Sequence, residues 1–223
     1  MSVESFDGLD LETRIAERAA AAGLQIDDRA IDVITDHARC VLEHNERLQL
    51  TTVTDAETFL ERHIGESLEG AALLDEHACG RLLDLGSGNG YPAIPIAAAL
   101  PGLDPVCIEA SAGKARFLEE TLATTLRRGT VWHRQVQRPA DFVDTKPVRV
   151  LTSRAMGNWE RIFPRVAPML APNGIAMLWA GESVGEIRMR AAWRRLSLVA
   201  RHGLPGRQRS WIWCFRIRTS RVS

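Results

Sequence analysis

Apolar positions recur at helical spacing through the first eighty residues and then give way to short apolar runs. Leu11, Ile15, Arg18 and Ala19 open one amphipathic stretch that ends near Gly23. Asp27 or Asp28 can cap a second, in which Ile31, Ile34, Ala38, Val41 and Leu42 share a face. After a polar break, the segment LQLTTVT reads as extended, and a third helix is expected to start after Thr54 or Asp55. From Arg81 the pattern alternates. RLLDLG, DPVCIEA, TVWHRQV, VRVLTS and IAMLWAG read as buried strands, the last entered through a turn at Asn173-Gly174. PAIPIAAAL, AGKARFLEETLATTLRR and NWERIFPRVAPML read as the intervening helices, the last ended or disturbed by Pro168. Strand and helix in alternation imply a mostly parallel sheet covered on both faces. Beyond Ser183, a helix and two strands (LSLVARHG and SWIWCFRIR) predict an antiparallel C-terminal edge. The expected architecture is α/β, with residues 1–78 a helical cap packed on the sheet formed by residues 79–223.

Composition changes this picture little. The 223 residues are 45% hydrophobic and 25% charged, ordinary for a soluble domain. The longest apolar run, Ala93 to Leu100, is too short to cross a bilayer, and the acidic start MSVESFDGLDLE is unlike a signal peptide. A cytoplasmic monomer is the expectation. Cys40, Cys79, Cys107 and Cys214 lack metal-ligand or disulfide spacing and read as small buried apolar residues, so no metal is expected. Charge is more informative. Residues 1–80 carry 6 basic against 18 acidic side chains, whereas residues 187–223 carry ten arginines and no acid. Either the tail holds an anionic partner such as RNA, or head and tail neutralise each other across the fold.

The chemistry-bearing segment is Asp84-Leu85-Gly86-Ser87-Gly88-Asn89-Gly90-Tyr91, between the first strand and its helix. In a doubly wound, Rossmann-like fold this turn faces a nucleotide-like ligand. The next strand ends in Glu109, 19 residues beyond Gly90, where a carboxylate can accept both hydroxyls of an adenosine ribose. Dinucleotide folds prefer a G-x-G-x-x-G turn facing a pyrophosphate. Here the spacing is G-x-G-x-G, and Asp84 precedes it. An acid there repels a diphosphate but attracts the ammonium and sulfonium of S-adenosylmethionine, the expected cofactor. A plain glycine-rich turn and a dinucleotide site stay open. Methyl transfer asks little of side chains, because alignment alone can supply roughly 7–11 kcal/mol. Guanine N7, an exposed acceptor, needs no base to deprotonate it.

Several segments together resemble the bacterial small-subunit (16S) ribosomal RNA guanine-N7 methyltransferases, also called glucose-inhibited division protein B. They are HNERLQLTTVTDAETFLERHIGES, RLLDLGSGNGYPAIPIA, EASAGKARFLEE and TSRAMGNW, within about Val41 to Gly181. The resemblance implies a class I methyltransferase fold and S-adenosylmethionine. It also implies ribosomal RNA or the small ribosomal subunit as partner. By it, Asp84, Gly86, Ser87, Gly88, Gly90, Tyr91 and Ala110 line the cofactor pocket, Glu109 holds the ribose, and Pro139, Ala140 and Asp141 flank the adenine. Arg154 of the S-R-A motif would sit at the cofactor and substrate mouth as the catalytic residue. Lys114 and Arg116 would reach RNA phosphates, with Arg62 and His63 at the site or bridging cap to sheet. Trp159, Trp179 and Trp193 could stack on bases or pack the core.

The chain departs from the family pattern in places. An expected acid falls on Ala140, an expected lysine on Ala180, Glu66-Ser67 stands for D-S, and Glu109 stands for Asp. A small molecule or protein substrate therefore stays open, the discriminator being whether a basic surface surrounds the mouth. A non-catalytic binding relative and a nicotinamide enzyme are the remaining alternatives, separable by ligand titration.

Overall fold

A computed structural model describes residues 10–53, 55–136, 141 and 147–218. Side-chain caps set the N-terminal helices. Asp10 accepts from the Thr13 amide and opens α1 (Leu11–Ala21), and Asp27 accepts from the Ala30 amide and opens α2 (Asp28–Leu48). Helix α2 ends at Gln49, whose left-handed φ of 49° turns the chain. Asp55 caps α3 (Ala56–Phe59), which runs through a π-helical segment (Leu60–Gly65) into α4 (Glu66–Ala72).

The sheet follows: β1 (Gly80–Leu85), α5 (Ala93–Ala99), β2 (Leu103–Glu109), α6 (Ala112–Thr121), β3 (Thr130–His133), β4 (Val148–Arg154), α7 (Trp159–Val166) and β5 (Leu170–Ala180). It closes with a single helical turn, α8 (Val184–Ile187), and the strands β6 (Leu196–Gly203) and β7 (Trp211–Ile217). Strand order is β3-β2-β1-β4-β5-β7-β6. The first five strands are parallel, and β7 runs antiparallel between β5 and β6, as the alternation and the aromatic C-terminal pattern predicted.

Two expectations need correction. Asn173-Gly174 lies inside β5 rather than before it, where the pairing with β4 jumps from Val148↔Leu170 to Val150↔Ile175. A Cβ at Gly174 would come within 2.8 Å of the Val148 carbonyl, so the bulged backbone packs against the neighbouring strand. The segment after Ser183 forms one helical turn and a 3₁₀ turn (Ala191–Trp193), not a sustained helix.

Alternation within the apolar strands splits the core by face. Leu82, Cys107, Val150 and Met177 join the cap residues Ile15, Ile34, Leu60 and Leu68 in one cluster. Leu83, Val106, Leu151 and Leu178 pack on the other face with Phe163, Trp193 and Phe215. Trp193 is buried and stacks on Phe163 at 5.7 Å, a core role. Cys107 and Cys214 are buried, but Cys79 is exposed. Among the described residues no helix is long and apolar enough to cross a membrane. Strand order reverses between β1 and β4, which opens a crevice at their carboxyl ends.

Candidate active site

Gly86 follows β1, and Arg154 ends β4, so the crevice lies between the glycine turn and the S-R-A segment. Gly86, Gly88 and Gly90 take φ values of 71°, 52° and 89°, a region glycine enters without steric cost. The turn is tied down from beneath. The Ser87 amide donates to the Ile108 carbonyl, and its hydroxyl to the Asp84 carbonyl. It is also held by the cap. Nε2 of His37 donates to the Asn89 carbonyl at 2.7 Å, and the Asn89 amide donates to the Leu50 carbonyl at 3.1 Å.

A cavity of about 950 Å³ opens over the turn. Gly86, Ser87, Gly88, Tyr91, Glu109, Ala110, Arg62, His63, Lys114 and Arg154 all line it. The Glu109 carboxylate accepts from the Gly88 amide at 2.9 Å and from the Ser111 amide at 2.7 Å. Asp84 and Gly90 do not line it. Asp84 is buried beneath the turn, with Oδ1 accepting from Thr152 Oγ1 at 2.7 Å and Oδ2 without a hydrogen-bond partner among the described residues. Burial pushes its carboxyl up to about 6, against the pull of the Thr152 hydroxyl. Gly90 faces α2, and a Cβ there would meet His37 Nε2 at 2.8 Å. Arg116 also lies outside the cavity, exposed and paired with Glu120 at 2.9 Å. The Asp141 carbonyl accepts from Arg134 at 3.0 Å, while Pro139 and Ala140 lie outside the described residues.

The cap contributes the opposite wall. Arg154 donates to the Arg62 carbonyl at 2.7 Å and to Nδ1 of His63 at 2.5 Å. A guanidinium only donates, so Nδ1 is the unprotonated nitrogen and Nε2–H donates to Thr51 Oγ1 at 2.7 Å. Burial, and then the Arg154 charge, drive His63 down to about 2, so the ring is neutral at working pH. Burial likewise lowers His37 to about 4. The two imidazoles pack against the Tyr91 ring, with centroids 4.3 Å and 5.1 Å away, and the tyrosine hydroxyl is buried without a hydrogen-bond partner among the described residues.

Sequence reasoning passed over part of the wall. Glu66, one turn beyond His63, accepts from Arg207 at 3.2 Å and faces Arg154 at 3.7 Å. Burial raises its carboxyl, and the two arginines oppose that rise. Arg134, Arg161 and Arg165 also line the cavity. The i, i+4 spacing of Arg161 and Arg165 on α7 was a readable signal. Arg207 was not readable, since it arrives from the β6–β7 turn. Among the described lining residues, seven cations (Arg62, Lys114, Arg134, Arg154, Arg161, Arg165 and Arg207) surround two carboxylates, Glu66 and Glu109. Of the three tryptophans considered for stacking, Trp179 alone lines this cavity, its indole N–H held by the Glu66 carbonyl at 3.1 Å.

Comparison with known proteins agrees with the motifs. Residues 30–197 match the model of a family described as rRNA small subunit methyltransferase G. The chain belongs to this family. It is 33% identical to the ribosomal RNA small subunit methyltransferase G of Sorangium cellulosum, across 80% of this chain and 75% of the relative. The same-named protein of an Anaeromyxobacter species is 31% identical, across 77% and 79%. Among solved structures, a glycopeptide N-methyltransferase in complex with S-adenosyl-L-homocysteine superposes with a TM-score of 0.57 at 13% identity, covering 70% of this chain and 87% of that one. The fibrillarin pre-rRNA processing protein of Methanococcus jannaschii gives 0.56 at 14% identity, covering 66% and 70%. These two show the class I methyltransferase fold.

Proposed function

We propose that this chain is a cytoplasmic monomer that transfers a methyl group from S-adenosylmethionine to N7 of a guanine in small-subunit ribosomal RNA. The carrying observation is the cation-rich rim around an adenosine-shaped corner, a setting that suits a polyanion better than a neutral metabolite or a protein.

The corner fits the cofactor on its own geometry. Gly86 and Gly88 present a turn without Cβ atoms. Each oxygen of Glu109 uses one acceptor position on the protein, which leaves others for a ribose diol. Asp84, with one buried unpartnered oxygen, puts negative charge beneath the turn. By the family resemblance, Pro139, Ala140 and Asp141 are assigned to the adenine. S-adenosylmethionine, when bound, supplies a methyl group already activated by its sulfonium.

What remains for the protein is placement. Neutral His63 and the Arg62 carbonyl fix the Arg154 guanidinium in one orientation at the mouth. There it meets the target nucleotide as a donor and a charge, and N7 attacks with its own lone pair, so the site needs no general base. Arg62, Lys114, Arg161 and Arg165 hold neighbouring phosphates, and Trp179 offers an apolar wall to a splayed base. The experiment is purified protein with methyl-labelled cofactor and small ribosomal subunits, followed by chemical cleavage at N7-methylguanine. One labelled, cleavable guanine is expected. Label appearing only in protein or in a small molecule overturns the proposal.

A further inference from the structure

A second arginine cluster lies away from the cavity. Arg188, Arg194 and Arg218 line a shallow cleft of about 230 Å³ with Met189, Trp193 and Phe215, and no carboxylate among the described residues lines it. Arg195 adjoins them, since the Arg218 amide donates to its carbonyl at 2.8 Å. Arg216 stands opposite Ser197 in the β6–β7 register. Met189 is 73% exposed, an apolar side chain set among these cations.

Elsewhere among the described tail residues, three arginines meet carboxylates and Arg201 lies over the Trp211 and Trp213 rings. Arg190, Arg207 and Arg209 pair with Glu160, Glu66 and Glu182. Among the described residues Arg188, Arg194, Arg195 and Arg216 form no ion pair, and all four are exposed. Charged side chains commonly guard an edge strand such as β6. That role accounts for a charge or two on the strand, but not for arginines on the preceding turns that converge with it on one cleft.

Strand β6 joins the two basic regions. It starts at Leu196 beside this cleft and ends at Gly203, next to Leu204 on the cavity wall. Its eight residues span roughly 25 Å at strand rise. Resting on the reading of an RNA substrate, we propose that this face is a second RNA-binding surface. It takes backbone phosphates of the same RNA roughly one strand length from the methylated base, with Met189 against a sugar or base edge. Contacts of this kind carry no sequence information and set register.

The test is the triple variant R188Q/R194Q/R195Q, whose three side chains are exposed and unpaired. With small subunits, KM should rise about tenfold while kcat and the affinity for S-adenosylmethionine hold. The slope of log(kcat/KM) against log salt should become shallower by about 2 to 3, near 0.7–0.9 for each lost phosphate contact. Binding to protein-free small-subunit RNA, measured by anisotropy, should weaken in step. An unchanged salt slope overturns the inference and leaves the arginines as edge guards. Loss with intact subunits but not with protein-free RNA overturns it too, and points to an acidic protein partner. Failure of the parental protein to methylate or bind RNA counts against the function proposed above instead.

Discussion

Replacing Glu109 with glutamine tests the adenosine corner at one atom. A carboxylate offers about four lone-pair positions, and the protein uses one on each oxygen, for Gly88 N at 2.9 Å and Ser111 N at 2.7 Å. Two remain for a vicinal diol. Glutamine keeps a single oxygen, so one backbone N–H must face an amide NH₂, donor against donor. Hydrogen bonds to a charged acceptor contribute about 1.5–3 kcal/mol, and to a neutral one about 0.5–1.5. Weakening two diol bonds by about 1 kcal/mol each lowers the affinity by about 2 kcal/mol, while the frustrated donor costs the folded protein a further ~1 kcal/mol with or without ligand. The affinity loss is roughly thirtyfold in Kd. Calorimetric titration with S-adenosylmethionine reads the loss, and urea denaturation of both proteins separates it from unfolding. A folded E109Q protein that binds within about threefold of the parent, less than about 0.7 kcal/mol, refutes the role assigned to Glu109.

Two further outcomes follow from the same region. Gly90→Ala should destabilise the protein by about 2–3 kcal/mol in urea, because φ is 89° and the new Cβ would meet Ile94 Cδ1 at 2.7 Å and His37 Nε2 at 2.8 Å; Gly157→Ala, with nothing within 4 Å, should stay within about 0.5 kcal/mol. Asp84 has its carboxyl raised from 3.8 to about 6, so its contribution to stability is fully present below pH 3.8 and is lost as pH rises through about 6. The stability of Asp84→Asn relative to the parent should therefore increase between pH 4 and pH 7, by up to about 3 kcal/mol, and a pH-independent difference in urea midpoints would contradict the burial argument.

The parallel sheet was legible because buried strands and amphipathic helices have different periods, and Gly86 to Gly90 with Glu109 mark one turn by backbone need and charge. The caps at Asp27 and Asp55 were also readable to within one residue, since a short acid before an apolar period has one favourable use. The split of the glycines was hidden. Gly86 and Gly88 border the cavity while Gly90 accommodates His37, and nothing local distinguishes them. Arg207 was hidden for another reason: its position depends on β7 inserting between β5 and β6, a pairing across the chain that no short window records. The Asn173-Gly174 pair carried the signature of a turn and was overridden by pairing with β4, which absorbs the extra residues as a bulge.

The π-helical segment Leu60–Gly65 sits between the Asp55 cap and Glu66, with Arg62 and His63 inside it. Each residue of an α-helix advances about 100° around the axis, and a widened turn resets that phase. Seven residues apart, Phe59 and Glu66 would lie about 20° apart on a regular α-helix; the wide turn takes them off that common face, so Phe59 rests edge-on against Tyr91 in the core while Glu66 reaches Arg207. A wide turn holds about one residue more than an α-helical turn, so losing a single residue from it would leave a regular helix with both flanks in place, whereas a loss from α4 would rotate the preceding cap by about 100° and carry Phe59 away from the tyrosine. The buried Leu60, His63, Ile64 and Gly65 should resist substitution, while a one-residue deletion should be tolerated inside the wide turn and not in the helix after it, an asymmetry that a scan of point variants beside single-residue deletions would expose.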